Sequence, residues 1–100
     1  MPRPADVTDE MIAEWESHWP VEIRMMSEII PGLREANQVG DWLLLKLSEL
    51  GASWETIQRM ASSFGHRAVR AEDKWELARE MVERYEAEGS FVEPTGELED

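Results

Sequence analysis

The chain has 100 residues, no cysteine, 42% apolar residues and a formal charge of −12. The length fits one domain, and the apolar content argues against disorder throughout. Without cysteine, disulfides, thiolate metal sites and thiol chemistry are excluded. The longest apolar run, residues 42–45, is far too short to span a membrane, and the N-terminus lacks the apolar region of a signal peptide. We therefore expect a soluble, cytoplasmic protein.

Two short helices are predicted first. The first begins at Thr8, whose hydroxyl can accept from a free amide of the first turn, and it ends at Pro20. The second opens at Pro20 and ends at Pro31-Gly32. Their apolar residues fall four apart: Val7, Met11, Trp15 and Trp19 in the first helix, and Val21, Met25 and Ile29 in the second.

The central helix is predicted over residues 33–50, with a start at Asn37 or Asp41 after a loop as the alternative. Apolar side chains occur on nearly all its sides, which is typical of a helix that is buried nearly all round. Gly51 follows as a C-terminal cap, because glycine adopts the left-handed conformation freely. The apolar residues are Leu33, Ala36, Gly40, Trp42, Leu43, Leu44, Leu45, Leu47 and Leu50.

A fourth helix is predicted to begin after Ser53 as its N-cap and to end or bend at Gly65. A fifth runs from about His66 or Ala71 to Glu88, and Gly89 stops it. The apolar face of the fourth helix contains Trp54, Ile57, Met60 and Ala61; that of the fifth contains Ala68, Ala71, Trp75, Leu77, Ala78, Met81, Val82 and Tyr85.

No segment alternates apolar and polar residues as a half-buried strand does. The prediction is therefore an all-α compact bundle of four to five helices over residues 8–89. A flexible N-terminus, residues 1–7, precedes it, and an acidic tail, residues 90–100, follows it, with Phe91 and Val92 able to return to the core. Core packing is predicted for Trp15, Trp42, Trp54 and Trp75, and burial is favoured over an exposed interface role for Trp19.

Enzymatic motifs are absent, since the chain has no phosphate-binding glycine loop, no GxSxG and no HExxH. Glu14 and His18 stand four apart with Glu22 following, which is compatible with a weak metal site. A solvated helix end is the favoured interpretation, because Pro20 breaks the helix beside His18. We predict no enzyme, no metal and no cofactor.

The charge is distributed unevenly. Residues 1–55 hold 11 acids and 4 bases, and residues 72–100 hold 11 acids and 3 bases. Between them, residues 56–71 hold 3 arginines and no acid. An acidic protein with one locally basic stretch raises the question of whether that stretch binds a ligand.

Residues 50–71 resemble a helix-turn-helix unit of the homeodomain-like or sigma-factor type. The elements that carry the resemblance are Gly51, the opening Ser53-Trp54, the inward Ile57, a turn at residues 62–65 and a second helix with Val69 inward. The resemblance implies that the last three helices form a DNA-binding unit. The residues it would place on nucleic acid are Arg59, His66, Arg67, Arg70 and Lys74.

A second interpretation is that these arginines pair with carboxylates of other helices and form an internal electrostatic seam. It is favoured over DNA binding, because Glu72, Asp73 and Glu76 follow at once and would repel phosphates. A homodimer would bind nucleic acid better, since it presents two patches.

The last helix carries a row of acids on its outer side. A solvated face is the ordinary interpretation of such a row. The functional interpretation is a protein-interaction surface that binds a basic protein partner, because rows of carboxylates can imitate a phosphate backbone. In size, charge and fold class the chain resembles small acidic helical inhibitors of phages and mobile elements, including anti-CRISPR proteins and DNA mimics. The predicted partner-binding residues are Glu72, Asp73, Glu76, Glu80 and Glu83.

Overall fold

The computed structural model of the protein describes residues 3–91. Five helices follow one another: α1 (Asp9–Ser17), α2 (Val21–Ile29), α3 (Leu33–Glu49), α4 (Trp54–Ala68) and α5 (Lys74–Glu88). Residues 3–91 contain no strand, and the predicted all-α bundle is confirmed.

Helix α3 is the centre of the bundle, because all four other helices pack against it. Its side chains Val39, Leu43 and Leu47 have no exposed surface, and Trp42 is also buried. Val39, Leu43 and Leu47 are spaced four residues apart, so they form one buried line along the helix. The sequence predicted burial of Leu43 and Leu47; it missed Val39.

Local capping signals place the helix ends correctly. The Thr8 hydroxyl accepts a hydrogen bond from the Met11 amide at 3.1 Å, and the Ser53 hydroxyl accepts one from the Thr56 amide at 3.2 Å. Gly51 follows α3 with a φ of 77°, the left-handed conformation that favours glycine. These three predictions from the sequence are confirmed.

The boundary between α4 and α5 differs from the prediction. Helix α4 continues through residues 62–65 and ends at Ala68, and the turn lies at residues 69–73. The reason is tertiary packing, because Ser63 and Phe64 are buried and hold this turn of α4 in the bundle despite its weak helix formers. His66 and Arg67 therefore lie in the last turn of α4 and do not open a new helix.

The tryptophans divide between core and surface. Trp42 and Trp75 are buried and meet edge to face, with ring centroids 6.1 Å apart. Trp15 is partly buried against the core. The prediction for Trp54 is wrong, because its side chain is 69% exposed at the start of α4. Trp54 is the first residue of α4, so its ring lies at the helix end, before the buried Ile57, Met60 and Phe64.

Both ends of the described chain contact the bundle. Pro4 and Val7 are buried before α1 begins. After α5, Phe91 packs against the core, as the sequence predicted, and the Arg59 guanidinium carbon lies 5.7 Å from its ring centroid. The remaining positions of the predicted tail, residues 92–100, lie outside the described residues.

Two ion pairs tie the N-terminal part of the chain to α3. Arg34 donates to both carboxylate oxygens of Glu16 at 2.8 and 2.7 Å, and Gln38 adds a third hydrogen bond at 2.7 Å. These donors hold the pKa of the Glu16 carboxyl below its ordinary value, mainly through Arg34. Lys46 bonds Asp6 at 2.9 Å and lowers the pKa of that carboxyl in the same way.

We expect the Glu16 contacts to make stability depend on pH in acid. A carboxyl with a lowered folded pKa stabilises the fold above its unfolded pKa, and this contribution is lost as the pH falls through the folded pKa. Glu16→Gln should therefore lessen the fall in the free energy of unfolding between about pH 6 and pH 3. Urea unfolding at a series of pH values measures this fall.

The control for this prediction is Glu10→Gln, which removes the same charge from an exposed side chain of α1. The control should keep the pH dependence of the wild type. Equal pH dependence in the wild type and Glu16→Gln would contradict the role assigned to the Arg34 contact.

Candidate functional site

The acidic row on α5 consists of Glu76, Glu80 and Glu83, whose side chains are exposed. Their spacing of four and three residues places them along one side of the helix over about 10 Å. Within the described residues none of the three forms a side-chain hydrogen bond or an ion pair. Arg79 and Arg84, which adjoin Glu80 and Glu83 in the sequence, form no ion pair with these glutamates.

The opposite side of α5 fixes the acidic row in place. Trp75, Ala78 and Val82 are buried there, together with Leu77 and Met81. The carboxylates therefore project from a helix that is anchored in the core. An ordered row of this kind presents its charge without a large loss of backbone entropy on binding.

The other two predicted acids lie before the helix and differ from each other. Glu72 is exposed in the turn. Asp73 is partly buried and is the N-cap of α5, where its Oδ1 accepts a hydrogen bond from the Glu76 amide at 3.0 Å. Asp73 thus has a structural task at the helix end.

The predicted basic residues lie on α4 and in the following turn. Arg59 and His66 are seven residues apart on the outer side of α4, and Arg70 follows in the turn; all three are exposed. Lys74 is partly buried and donates to the Ala71 carbonyl at 3.2 Å. Val69, predicted to point inward, is 84% exposed, because α4 ends one residue before it.

The predicted electrostatic seam is not formed by Arg59 or Arg70. Among residues 3–91, neither of them pairs with a carboxylate, and Arg59 instead lies over the Phe91 ring. Arg67 is partly buried in the last turn of α4, where the negative end of the helix dipole stabilises a cation. Arg67 thus differs from Arg59 and Arg70, whose side chains are exposed.

The Glu14 and His18 positions lie at the end of α1. The His18 ring Nδ1 lies 2.9 Å from the main-chain oxygen of Glu14, so the ring contacts the backbone and not the Glu14 carboxylate. Within residues 3–91, no three histidine or acidic side chains lie close enough together to hold a metal ion.

Sequence reasoning missed the exposure of the apolar side chains of α2. None of its residues is buried. Its exposed apolar side chains, called here the α2 face, are Val21 (57%), Met25 (58%), Met26 (45%) and Ile29 (75%), with Ile30 (44%) after its last turn. The spacing of four residues between apolar positions was visible in the sequence. Periodicity does not say whether another part of the protein packs against such a stripe.

A groove continues from the α2 face between the N-terminal half of α3 and the C-terminal half of α4. It has a volume of about 400 Å³. Its walls are largely apolar and include Ile30, Leu44, Phe64, Ala68 and Val69.

Asp41 and Lys74 are the charged residues that line this groove. Asp41 Oδ2 accepts a hydrogen bond from the Trp19 indole at 2.7 Å, which joins the α1–α2 junction to α3. Burial raises the pKa of the Asp41 carboxyl, and the Trp19 hydrogen bond opposes this rise. Its Oδ1 makes no hydrogen bond within the described part of the chain, so Asp41 can accept a donor from a ligand.

Comparison of the chain with protein-family models, with curated proteins and with solved structures found no match. Over residues 3–91, no helix has both the length and the apolarity that crossing a membrane requires. The described residues, 3–91, form a small all-α bundle with an acidic row on α5 and exposed apolar side chains on α2.

Proposed function

We propose that this chain is a non-enzymatic interaction protein whose acidic row on α5 binds a basic surface of a partner protein. The observation that carries the proposal is that Glu76, Glu80 and Glu83 are exposed and unpaired with cations of the described chain. A cationic side chain of a partner can therefore bind these carboxylates without breaking an ion pair within the described chain.

Electrostatics support this direction of binding. The whole chain carries −12, which attracts a basic surface at long range and speeds its approach at low salt. Glu76 and Glu80 are also like charges one turn apart, so a cation placed between them relieves their repulsion.

The proposal extends to inhibition of a complex that binds nucleic acid. A row of carboxylates on an ordered helix can occupy a groove lined by arginine and lysine, because these side chains recognise carboxylates and phosphates through similar hydrogen bonds. An inhibitor of the anti-CRISPR or DNA-mimic type would act in this way. The support for this extension is size, charge and fold class.

Charge reversal tests the proposal. Glu76→Lys with Glu80→Lys should lower capture of a basic protein from nuclease-treated host lysate by about tenfold or more. The matched control is Glu10→Lys with Glu14→Lys, which makes the same charge change at the same spacing near the start of α1. Quantitative mass spectrometry of the captured proteins measures the difference.

The wild type and the control should retain the same partner, and its retention should fall as salt is raised. Equal retention by all three proteins would exclude the acidic row as the binding site. Equal loss of partner retention in both variants would show that the net charge of the protein, and not a defined surface, retains the partner.

A helix-turn-helix DNA-binding regulator is the second candidate function. The observation that favours it is the exposure of Arg59, His66 and Arg70 along α4 and the turn after it. Two arginines and a histidine can contact phosphates, and such contacts are strongest at low salt. Repeating the capture with lysate that has not been treated with nuclease separates the two candidates, since a partner captured only while nucleic acid is present favours the regulator.

A further inference from the structure

We propose that the α2 face and the adjoining groove bind an amphipathic basic helix of a partner protein. The inference rests on the proposed function in that it requires a basic partner, but it uses a different surface from the acidic row. The partner helix would lay apolar side chains along α2 and into the groove, and place a lysine or arginine beside Asp41.

The first support is the amount of apolar surface left in water. Ile29 is 75% exposed and Met25 is 58% exposed. The buried core of the described chain contains no residue of α2. A contiguous apolar surface of this kind marks interaction sites on small proteins. Within the described chain, nothing covers this side of α2.

The second support is the shape of the surface. Ile30 belongs both to the α2 face and to the wall of the groove, so the two form one continuous apolar area. Helix α2 has 9 residues, which adds about 13 Å of apolar length to the groove. This extent suits the apolar face of a helix, which packs by side chains three and four residues apart.

The third support is the charge of the occupant. Asp41 places a carboxylate with an available oxygen in a largely apolar groove, where it favours a cation. Arg24 lies on α2 and Lys74 lines the groove, but the whole molecule carries −12. A second copy would bring −12 against −12, so a basic partner is favoured over self-association.

The chemistry of the side chains fits an adaptable surface. Met25 and Met26 are unbranched and polarizable, so they can adjust to different apolar side chains. Phe64 and Ala68 form a buried and therefore ordered wall of the groove. The surface thus combines a deformable rim with a rigid wall.

The test uses a fluorescent model peptide of about 20 residues with leucine and lysine at helical spacing, and a peptide in which glutamate replaces lysine. Anisotropy should show that the basic peptide binds and the acidic one does not. Met25→Gln with Ile29→Gln should weaken binding about tenfold without changing net charge. Asp41→Asn should weaken it about fivefold while leaving an oxygen that can accept from Trp19.

The matched control is Leu50→Gln with Trp54→Gln, which replaces two exposed apolar residues at the other end of the molecule and should bind the peptide as the wild type does. Nitrogen–proton spectra add a direct readout of the site. The Trp19 indole signal should move on binding, because this group bonds Asp41. The Trp54 signal should not, since seven residues of α4, about 10 Å, separate Trp54 from Ala61, the first residue of α4 in the groove wall.

Peptide binding that is unchanged in Met25→Gln with Ile29→Gln, or self-association in place of peptide binding, would overturn this inference. The two proposals fail separately. Reversal at Glu76 and Glu80 should affect peptide binding no more than the Glu10 and Glu14 control does. If Glu76→Lys with Glu80→Lys loses lysate capture but still binds the peptide, the acidic row and the α2 face are distinct binding sites.

Discussion

Replacing Leu43 with alanine is expected to lower the free energy of unfolding by about 2–5 kcal/mol, because it leaves a cavity in the fully buried part of the core. Leu43 has no exposed surface and lies between Val39 and Leu47 in the buried line of α3. Since α3 contacts every other helix, neighbouring side chains cannot fill the cavity without moving a helix. Urea unfolding followed by far-ultraviolet circular dichroism measures the loss.

Leu50→Ala is the control, because this leucine follows the same helix but is 41% exposed. Its replacement should change the free energy of unfolding by only about 0.5 kcal/mol. Similar losses at the two leucines would contradict the central position of α3.

Replacing Phe64 with alanine is expected to lower the free energy of unfolding by about 3–5 kcal/mol. Phe64 is 4% exposed and lies between α3 and α4, where it also lines the groove. Its burial holds α4 helical through residues 62–65. The same urea experiment measures the effect, and the circular dichroism of the folded variant reports any loss of helix at the end of α4.

Val69→Ala provides the comparison for Phe64, because Val69 also lines the groove but is 84% exposed. It should change the free energy of unfolding by no more than about 0.5 kcal/mol. A loss below about 1 kcal/mol for Phe64→Ala would favour the sequence-based alternative in which the helix breaks at Gly65.

Most helix ends could be predicted from the sequence because they depend on local chemistry. Thr8 and Ser53 cap their helices through a hydroxyl, and Gly51 takes a conformation that other residues avoid. These signals act over three or four residues, so they need no knowledge of the rest of the fold.

The end of α4 could not be predicted in this way. Ser62, Ser63 and Gly65 are poor helix formers, and the local pattern indicates a turn. The decisive term is burial of Phe64 against the rest of the bundle, which depends on contacts distant in sequence. As a consequence, His66 and Arg67 close one helix, while Lys74 begins the next.

The candidate sites show the same division. Exposure of Glu76, Glu80 and Glu83 follows from helical spacing opposite the buried Trp75 and Ala78, so the sequence was sufficient. The groove could not be foreseen, because its walls come from α3 and α4. Its hydrogen bond from Trp19 to Asp41 also joins residues 22 positions apart.

The lack of any buried residue in α2 has a consequence for its dynamics. The free energy of opening a segment reflects the apolar contacts that it loses, so we expect α2 to unfold locally at a lower cost than α3, α4 and α5, each of which has several buried residues. Its N-cap is Pro20, which supplies no side-chain hydrogen bond to hold the first turn. Because α2 opens readily, a bound helix would stabilise it and slow its amide exchange, and part of the binding free energy would be used to order it.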